Sequence, residues 1–159
     1  MATPTPEFVY WGPQHIELGT TKPLELVDVT DRIADLTATS GVARGIAHAF
    51  CPHTSCGLTI TEAEDGLHED IDAFLERLAP TTGTYVHDDM TRRTQNREPD
   101  ERRNGWSHLR ALVATTPTLV LPVVDHALAL GTWQRIFLVE LDGPRSARRI
   151  ALTVQGADC

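Results

Sequence analysis

The final stretch of the chain alternates. Ile150, Leu152 and Val154 interleave with Arg149, Ala151, Thr153 and Gln155, the period-two pattern of an antiparallel strand with one buried face and one wet one. Two earlier runs, 118–124 and 134–141, are apolar on both faces, so they belong at the centre of a sheet or at a subunit contact. Gly131-Thr132 and Asp142-Gly143-Pro144 mark turns. From Leu119 onward the chain therefore reads as β structure, with strands at 118–124, 127–130, 134–141 and 148–155.

The first half is mixed. Residues 7–18, interrupted by Gly12-Pro13, and residues 24–27 read as edge strands. Val29, Ile33 and Leu36 recur at helical spacing, Thr30 can cap and Gly41 stops, which predicts a short helix over 31–39. Strands follow at 43–51 and 57–62. Leu67, Ile71, Phe74, Leu75 and Leu78 form one stripe of a helix over 66–79 that Pro80 ends. At about 100° per residue, Asp70 falls at the margin of that stripe, where a carboxylate can face an inner site. A third short helix over 105–113 has Trp106, Leu109, Leu112 and Val113 on one side, a phase that turns His108 away from the apolar stripe. The class is α+β, an antiparallel β-sandwich core with two or three short helices. At 159 residues and 41% apolar content the expectation is one domain, residues 1–159. Residues 1–6 would be a flexible leader and 88–104 a mobile charged loop whose arginines form a solvated face.

Composition excludes several functions. The 14 basic and 22 acidic residues give a net charge of -8, which repels phosphate backbones and anionic lipid, so no nucleic acid and no membrane are expected as partners. No secretory leader or bilayer-spanning run is visible, which predicts a cytoplasmic protein. Three cysteines, an odd count, argue for free thiols. A single lysine, Lys22, and no phosphate-cradling glycine loop speak against Walker-type nucleotide chemistry. No organic cofactor is implied.

Chemistry concentrates in Cys51-Pro52-His53-Thr54-Ser55-Cys56, where one apolar run stops and another begins. His53, His87 and His108 stand at what look like element ends, with Glu62, Asp70, Asp88 and Asp89 near them in sequence. Three imidazoles with an open fourth position suit a zinc-like divalent metal, and the acids would then serve as base or orienting partners. Cys51 and Cys56 flank His53 and could bind zinc with it, but their spacing is loose. The simpler expectation is that Cys51 is a buried strand residue and Cys56 a small filler. Ser55 lacks the glycine-flanked elbow of a hydrolase nucleophile. Arg145 could bind phosphate or carboxylate, and Trp133 could be a core aromatic or the wall of a ligand pocket.

In order along the chain, His53-Thr54-Ser55, Leu58-Thr59-Ile60, Glu62, Asp65, Asp70, Tyr85, His87-Asp88, His108, Leu121-Pro122-Val123, Gly131-Thr132-Trp133-Gln134 and Arg148-Arg149 with Gly156 resemble the YjbQ-like family, also described as secondary thiamine-phosphate synthases. The resemblance covers nearly the whole chain. It implies a β-sandwich that assembles as a homotrimer, with His53, His87 and His108 as metal or anion ligands supported by Glu62, Asp70 and Asp88. It also restores His108, against helical phase. Four positions depart from the family pattern. Thr61 stands where asparagine is common, Cys56 where alanine is, and His126 where a turn glycine is; the glycine expected before the Leu121 strand is missing. Cys56 could add a ligand or merely fill space.

The resemblance implies an enzyme that joins a pyrimidine methyl pyrophosphate to a thiazole phosphate and releases pyrophosphate. Ser55, Trp133 and Arg145 would bind the phosphorylated substrate, and zinc-like metal or magnesium would take up developing charge. Histidine-rich pockets suit water activation better than magnesium pyrophosphate, which makes thiamine synthesis a candidate side activity. The alternatives are a metal-assisted hydrolase or lyase with Asp70 or Glu62 as base, and a non-catalytic trimer that binds a metal or metabolite.

Overall fold

The computed structural model describes residues 5–159; residues 1–4 of the leader lie outside the described residues, while Thr5 and Pro6 are exposed and belong to no element. The strands are β1 (Phe8–Thr20), β2 (Glu25–Asp28), β3 (Arg44–Phe50), β4 (Cys56–Thr61), β5 (Thr118–Val124), β6 (Ala127–Leu128), β7 (Arg135–Glu140) and β8 (Arg145–Ala157). The helices are α1 (Thr30–Thr39), α2 (Asp65–Leu78) and α3 (Gly105–Ala114). All strand pairs are antiparallel, in a five-stranded sheet β1-β8-β3-β5-β6 and a three-stranded sheet β2-β7-β4. The α+β expectation is met.

The two sheets pack face to face through alternate residues. Ile150, Leu152 and Val154 of β8, Ala47 and Ala49 of β3, and Leu121 and Val123 of β5 meet Ile136 and Leu138 of β7 and Leu58 of β4 in one fully buried cluster. β7 is apolar on both faces because both are covered. Its intervening residues Phe137 and Val139 join Leu141 and Leu75 in a second cluster under α2 and α3. β5 has a different reason for its apolar outer face: Val120 and Val124 are exposed.

The second and third helices depart from their sequence stripes. In α2 only Leu75 is fully buried, and Phe74 and Leu78 are exposed. α3 is turned over: Trp106, Ser107 and Arg110 face inward, Ala111 and Ala114 pack under the second cluster, and Leu112 is 79% exposed. The cause is Arg110, whose guanidinium lies 4.7 Å over the Trp106 ring, donates to the Ala79 carbonyl and pairs with Glu76. A buried arginine with three partners outweighs the leucines, because an unpaired buried charge is far costlier than an exposed side chain.

Smaller differences follow from local chemistry. The register of β1 shifts between Trp11 and Gln14, where Pro13 has no amide to give the ladder. The β5–β6 turn places Asp125 and His126 at φ 50° and 65°, the left-handed region that favours glycine, so His126 occupies a glycine-like position as an exposed, strained residue.

Candidate functional site

At one end of the sandwich the buried parity of two strands continues past its last aliphatic residue. Glu140 is in phase with Ile136 and Leu138 on β7, and Arg148 with Ile150 and Leu152 on β8, so both charges point between the sheets. They meet in a two-pronged ion pair, Arg148 Nε and Nη2 each 2.6 Å from a Glu140 oxygen. Glu140 also accepts from Thr20 Oγ1 and from the amides of Leu141 and Asp142. Burial pushes the Glu140 carboxyl upward, but Arg148 and these donors outweigh it and hold it below the ordinary carboxylate range. Arg148 Nη2 reaches on to Ser55 Oγ at 3.2 Å, and this contact separates two cavities.

The larger cavity, about 500 Å³, lies over Ser55, Asn104, His108, Asp142 and Arg145 and is roofed by Glu98, Pro99, Asp100, Glu101 and Arg102. Asp142 is its floor. It is paired with Arg145, takes bonds from Arg102 and takes another from Asn104 Nδ2 at 3.1 Å. The arginines of the 88–104 tract are not all solvated, as sequence suggested: Arg93 pairs with Glu101 at 2.9 Å and Arg102 donates to the Asp142 carbonyl, which ties the tract down over the cavity. Three buried polar atoms around this cavity have no partner, Glu101 Oε2, Asn104 Oδ1 and Arg145 Nε. A group left unsatisfied in this way costs free energy unless something fills it.

His108 comes to this cavity through its α3 address. Asp88 Oδ1 accepts from the amides of Asn104 and Gly105, both at 2.9 Å, and so anchors the start of the helix. Gly105 lets the Val86–Asp88 turn abut that start, since a Cβ there would fall 2.6 Å from Tyr85 Cβ. His108 Nδ1 is 3.1 Å from the Thr54 carbonyl. A carbonyl only accepts, so Nδ1 carries the proton and Nε2 keeps its lone pair. Burial, and then the neighbouring His87, lower the His108 pKa, so the ring is neutral near pH 7. The His87 ring is 4.6 Å from it, centroid to centroid. Its Nε2 accepts from Arg93 Nη1 at 3.3 Å and is already engaged.

The smaller cavity, about 290 Å³, is lined by Glu17, Pro52, His53, Ala147, Arg148 and Arg149. His53 Nε2 accepts from the Arg149 amide at 3.0 Å. Burial lowers its pKa, with Arg148 adding to the effect. Behind it Cys51 and Cys56, 1% and 2% exposed, face each other with sulfurs 3.5 Å apart.

The sequence-selected residues therefore divide. His87, His108, Asp88, Ser55 and Arg145 come together, with Asp88 as an anchor of α3 and Ser55 as a partner of Arg148. His53 lies across the partition, so the structure does not bring the three imidazoles together: among the described residues, the ligand atoms that group within 4.8 Å are those of Cys51, His53 and Cys56. Glu62 and Asp70 are exposed and line neither cavity. Asp70 lies on the wet side because α2 docks by a narrower stripe than the periodicity suggested. Trp133 is 71% exposed on the β6–β7 turn, neither core nor cavity wall. Sequence reasoning missed Glu140, Arg148, Asp142, Asn104 and Glu101. The first two had a signal: each extends the buried parity of its strand, and charges in phase with buried aliphatics need one another. Asp142 reads in sequence as part of the Asp142-Gly143-Pro144 turn.

Comparison with known proteins gives one consistent answer. The family model for UPF0047 protein YjbQ-like matches residues 14–157. The chain is 36% identical to a UPF0047 protein of Methanothermobacter thermautotrophicus over 90% of this chain and 91% of that one. It is 34% identical to UPF0047 protein YjbQ of Escherichia coli O157:H7, over 81% and 84%. Among solved structures, a YbjQ-like protein of Sulfolobus solfataricus P2 superposes with TM-score 0.79 at 32% identity, covering 96% of this chain and 99% of that one. No helix among the described residues is long and apolar enough to cross a membrane.

Proposed function

The chain belongs to the UPF0047 YjbQ-like family, and from that premise we propose that its larger cavity is the site of an enzyme acting on a phosphorylated small molecule. One observation carries the reading: Glu101 Oε2, Asn104 Oδ1 and Arg145 Nε, all buried and all without partners, belong to residues around the same cavity as the open Nε2 of His108. Together they ask for a ligand with an anionic acceptor for Arg145 and Arg102 and an N–H or O–H donor for Glu101 and Asn104.

A pyrimidine methyl pyrophosphate has both. In the thiamine-phosphate synthase reaction the methylene C–O bond breaks, the thiazole nitrogen forms the new C–N bond, and pyrophosphate leaves with the electron pair. Arg102 and Arg145 would meet that charge, and the pyrimidine amino group would donate to Glu101 or Asn104. No proton has to leave in this step, so His108 would position the substrate. The neutral His108 with an open lone pair favours a second reading, a hydrolase in which Nε2 takes a proton from attacking water. In that reading His108 replaces Asp70 and Glu62 as the base. Neither reading routes a step through a metal.

Both are tested by incubating the protein with pyrimidine methyl pyrophosphate, with and without thiazole phosphate. Thiamine phosphate formed by the wild type and lost in Arg145→Ala supports the transferase; pyrophosphate released without the thiazole and lost in His108→Ala supports the hydrolase. Neither product above background removes this substrate from the proposal. Self-association as a trimer belongs to the same reading, since the exposed Phe8, Tyr10, Val120 and Leu112 would find cover there. Light scattering on the purified chain checks it.

A further inference from the structure

The smaller cavity carries chemistry that the proposed reaction does not use. We infer that Cys51, Cys56 and His53 form a binding site for a thiophilic divalent cation of the zinc class, open to solvent through the cavity beside Arg149. The ligand atoms of the three residues lie within 4.8 Å of one another. Two thiolates about 2.3 Å from a tetrahedral zinc ion stand about 3.8 Å apart, and these sulfurs are 3.5 Å apart without being bonded. Cys51 directly follows β3 and Cys56 opens β4, strands of different sheets, so the fold itself holds them in place.

Charge selects the cation. Loading breaks two S–H bonds, forms two S–metal bonds and releases two protons, so a divalent ion leaves the cluster neutral. That matters here because the adjacent Arg148 is already matched by Glu140 and has no charge to spare. A monovalent soft ion would leave one buried negative charge unmatched. Two sulfurs and one imidazole fill three positions of a tetrahedral set, which a water or a small anion would complete. Of the three residues, His53 is the one that lines the cavity.

One ring lone pair cannot serve both the Arg149 amide and a metal. His53 Nε2 accepts that amide in the metal-free chain, so loading must exchange this hydrogen bond for the metal bond. The Arg149 amide thereby becomes a reporter that no adventitious surface ion would move.

The test uses the reduced, metal-stripped full chain titrated with Co2+ and then Zn2+. The expected result is a thiolate-to-cobalt charge-transfer band that saturates at one equivalent, is displaced by Zn2+, and is accompanied by a shift of the Arg149 amide resonance. Cys51→Ser and Cys56→Ala should abolish the band. His53→Ala should keep it and weaken binding by about tenfold or more, and His108→Ala, in the other cavity, should leave it unchanged. Zn2+ should slow alkylation of Cys51 and Cys56 but not of the exposed Cys159, which keeps the test valid if one variant fails to fold. The inference is overturned if reduced, folded wild type gives no band, if the band survives both cysteine changes, or if the pair is isolated two hydrogens lighter as a disulfide and binds no metal after reduction.

Discussion

The two cavities beside the Arg148–Ser55 contact are built from opposite materials. The larger is hard and polar, with charged groups braced against one another through Asp142 and several polar atoms still unmet. The smaller is soft, with two sulfurs and an imidazole behind a cationic rim. Both depend on the same buried pair. Glu140 and Arg148 fix the strand ends that carry Ser55 and Asp142 on one side and place Arg149 against His53 on the other. One structural pair thus stands between two cavities of different chemistry.

The largest effect is expected at that pair. Arg148→Met should destabilise the chain by about 3–5 kcal/mol, because it leaves Glu140 buried and uncompensated; chemical denaturation reads this directly. Adding Glu140→Gln should recover much of the loss. Recovery with both cavities still unable to bind would show that the pair positions the sites as well as stabilising the sheets.

The next effect separates the cavities. If the larger one does acid–base chemistry, His108→Ala should lower turnover by about 10²–10⁴-fold and leave the Cys51–Cys56 pair untouched, as kinetics and thiol titration would show. Gly105→Ala should produce a milder loss by driving α3 away from the Val86–Asp88 turn, visible in turnover before stability.

Acid should weaken both sides. His53 and His108 are held below the ordinary histidine value by burial first, then by Arg148 and His87 respectively. The unfolded rings titrate near about 6.5. Between the folded values and that point the unfolded chain binds more protons, so stability falls as pH drops through about 6.5 and levels off above it. Urea midpoints measured across that range should show this slope, and His108→Gln should flatten part of it. The smallest effects lie outside both cavities. His126→Gly should stabilise by up to about 1 kcal/mol by relieving a left-handed residue, and Trp133→Ala should change stability by no more than about 0.5 kcal/mol.

Much of the scaffold was legible because periodicity reports burial. The alternation of Ile150, Leu152 and Val154, and the doubly apolar run around Phe137 and Leu138, put β8 and β7 where they are. The helices were harder. Leu109, Leu112 and Val113 make a plausible stripe, and only the partners of Arg110, which are remote in sequence, show that α3 turns them outward. The candidate site was half legible for the same reason. His108, Asp88 and Arg145 were identifiable by residue type and resemblance. Asn104 and Asp142 became visible only when the chain brought residues about forty positions apart into contact. Spacing along a chain does not say on which side of a partition a ring will fall, and His53 falls on the other side from His108.

On the proposed reading the larger cavity, and not the smaller, takes the phosphorylated ligand. Calorimetric titration with inorganic pyrophosphate tests it most directly, using Arg145→Ala against Arg149→Ala. Binding should disappear in Arg145→Ala and persist in Arg149→Ala. Binding retained in the first and lost in the second would place the anion across the partition and contradict it.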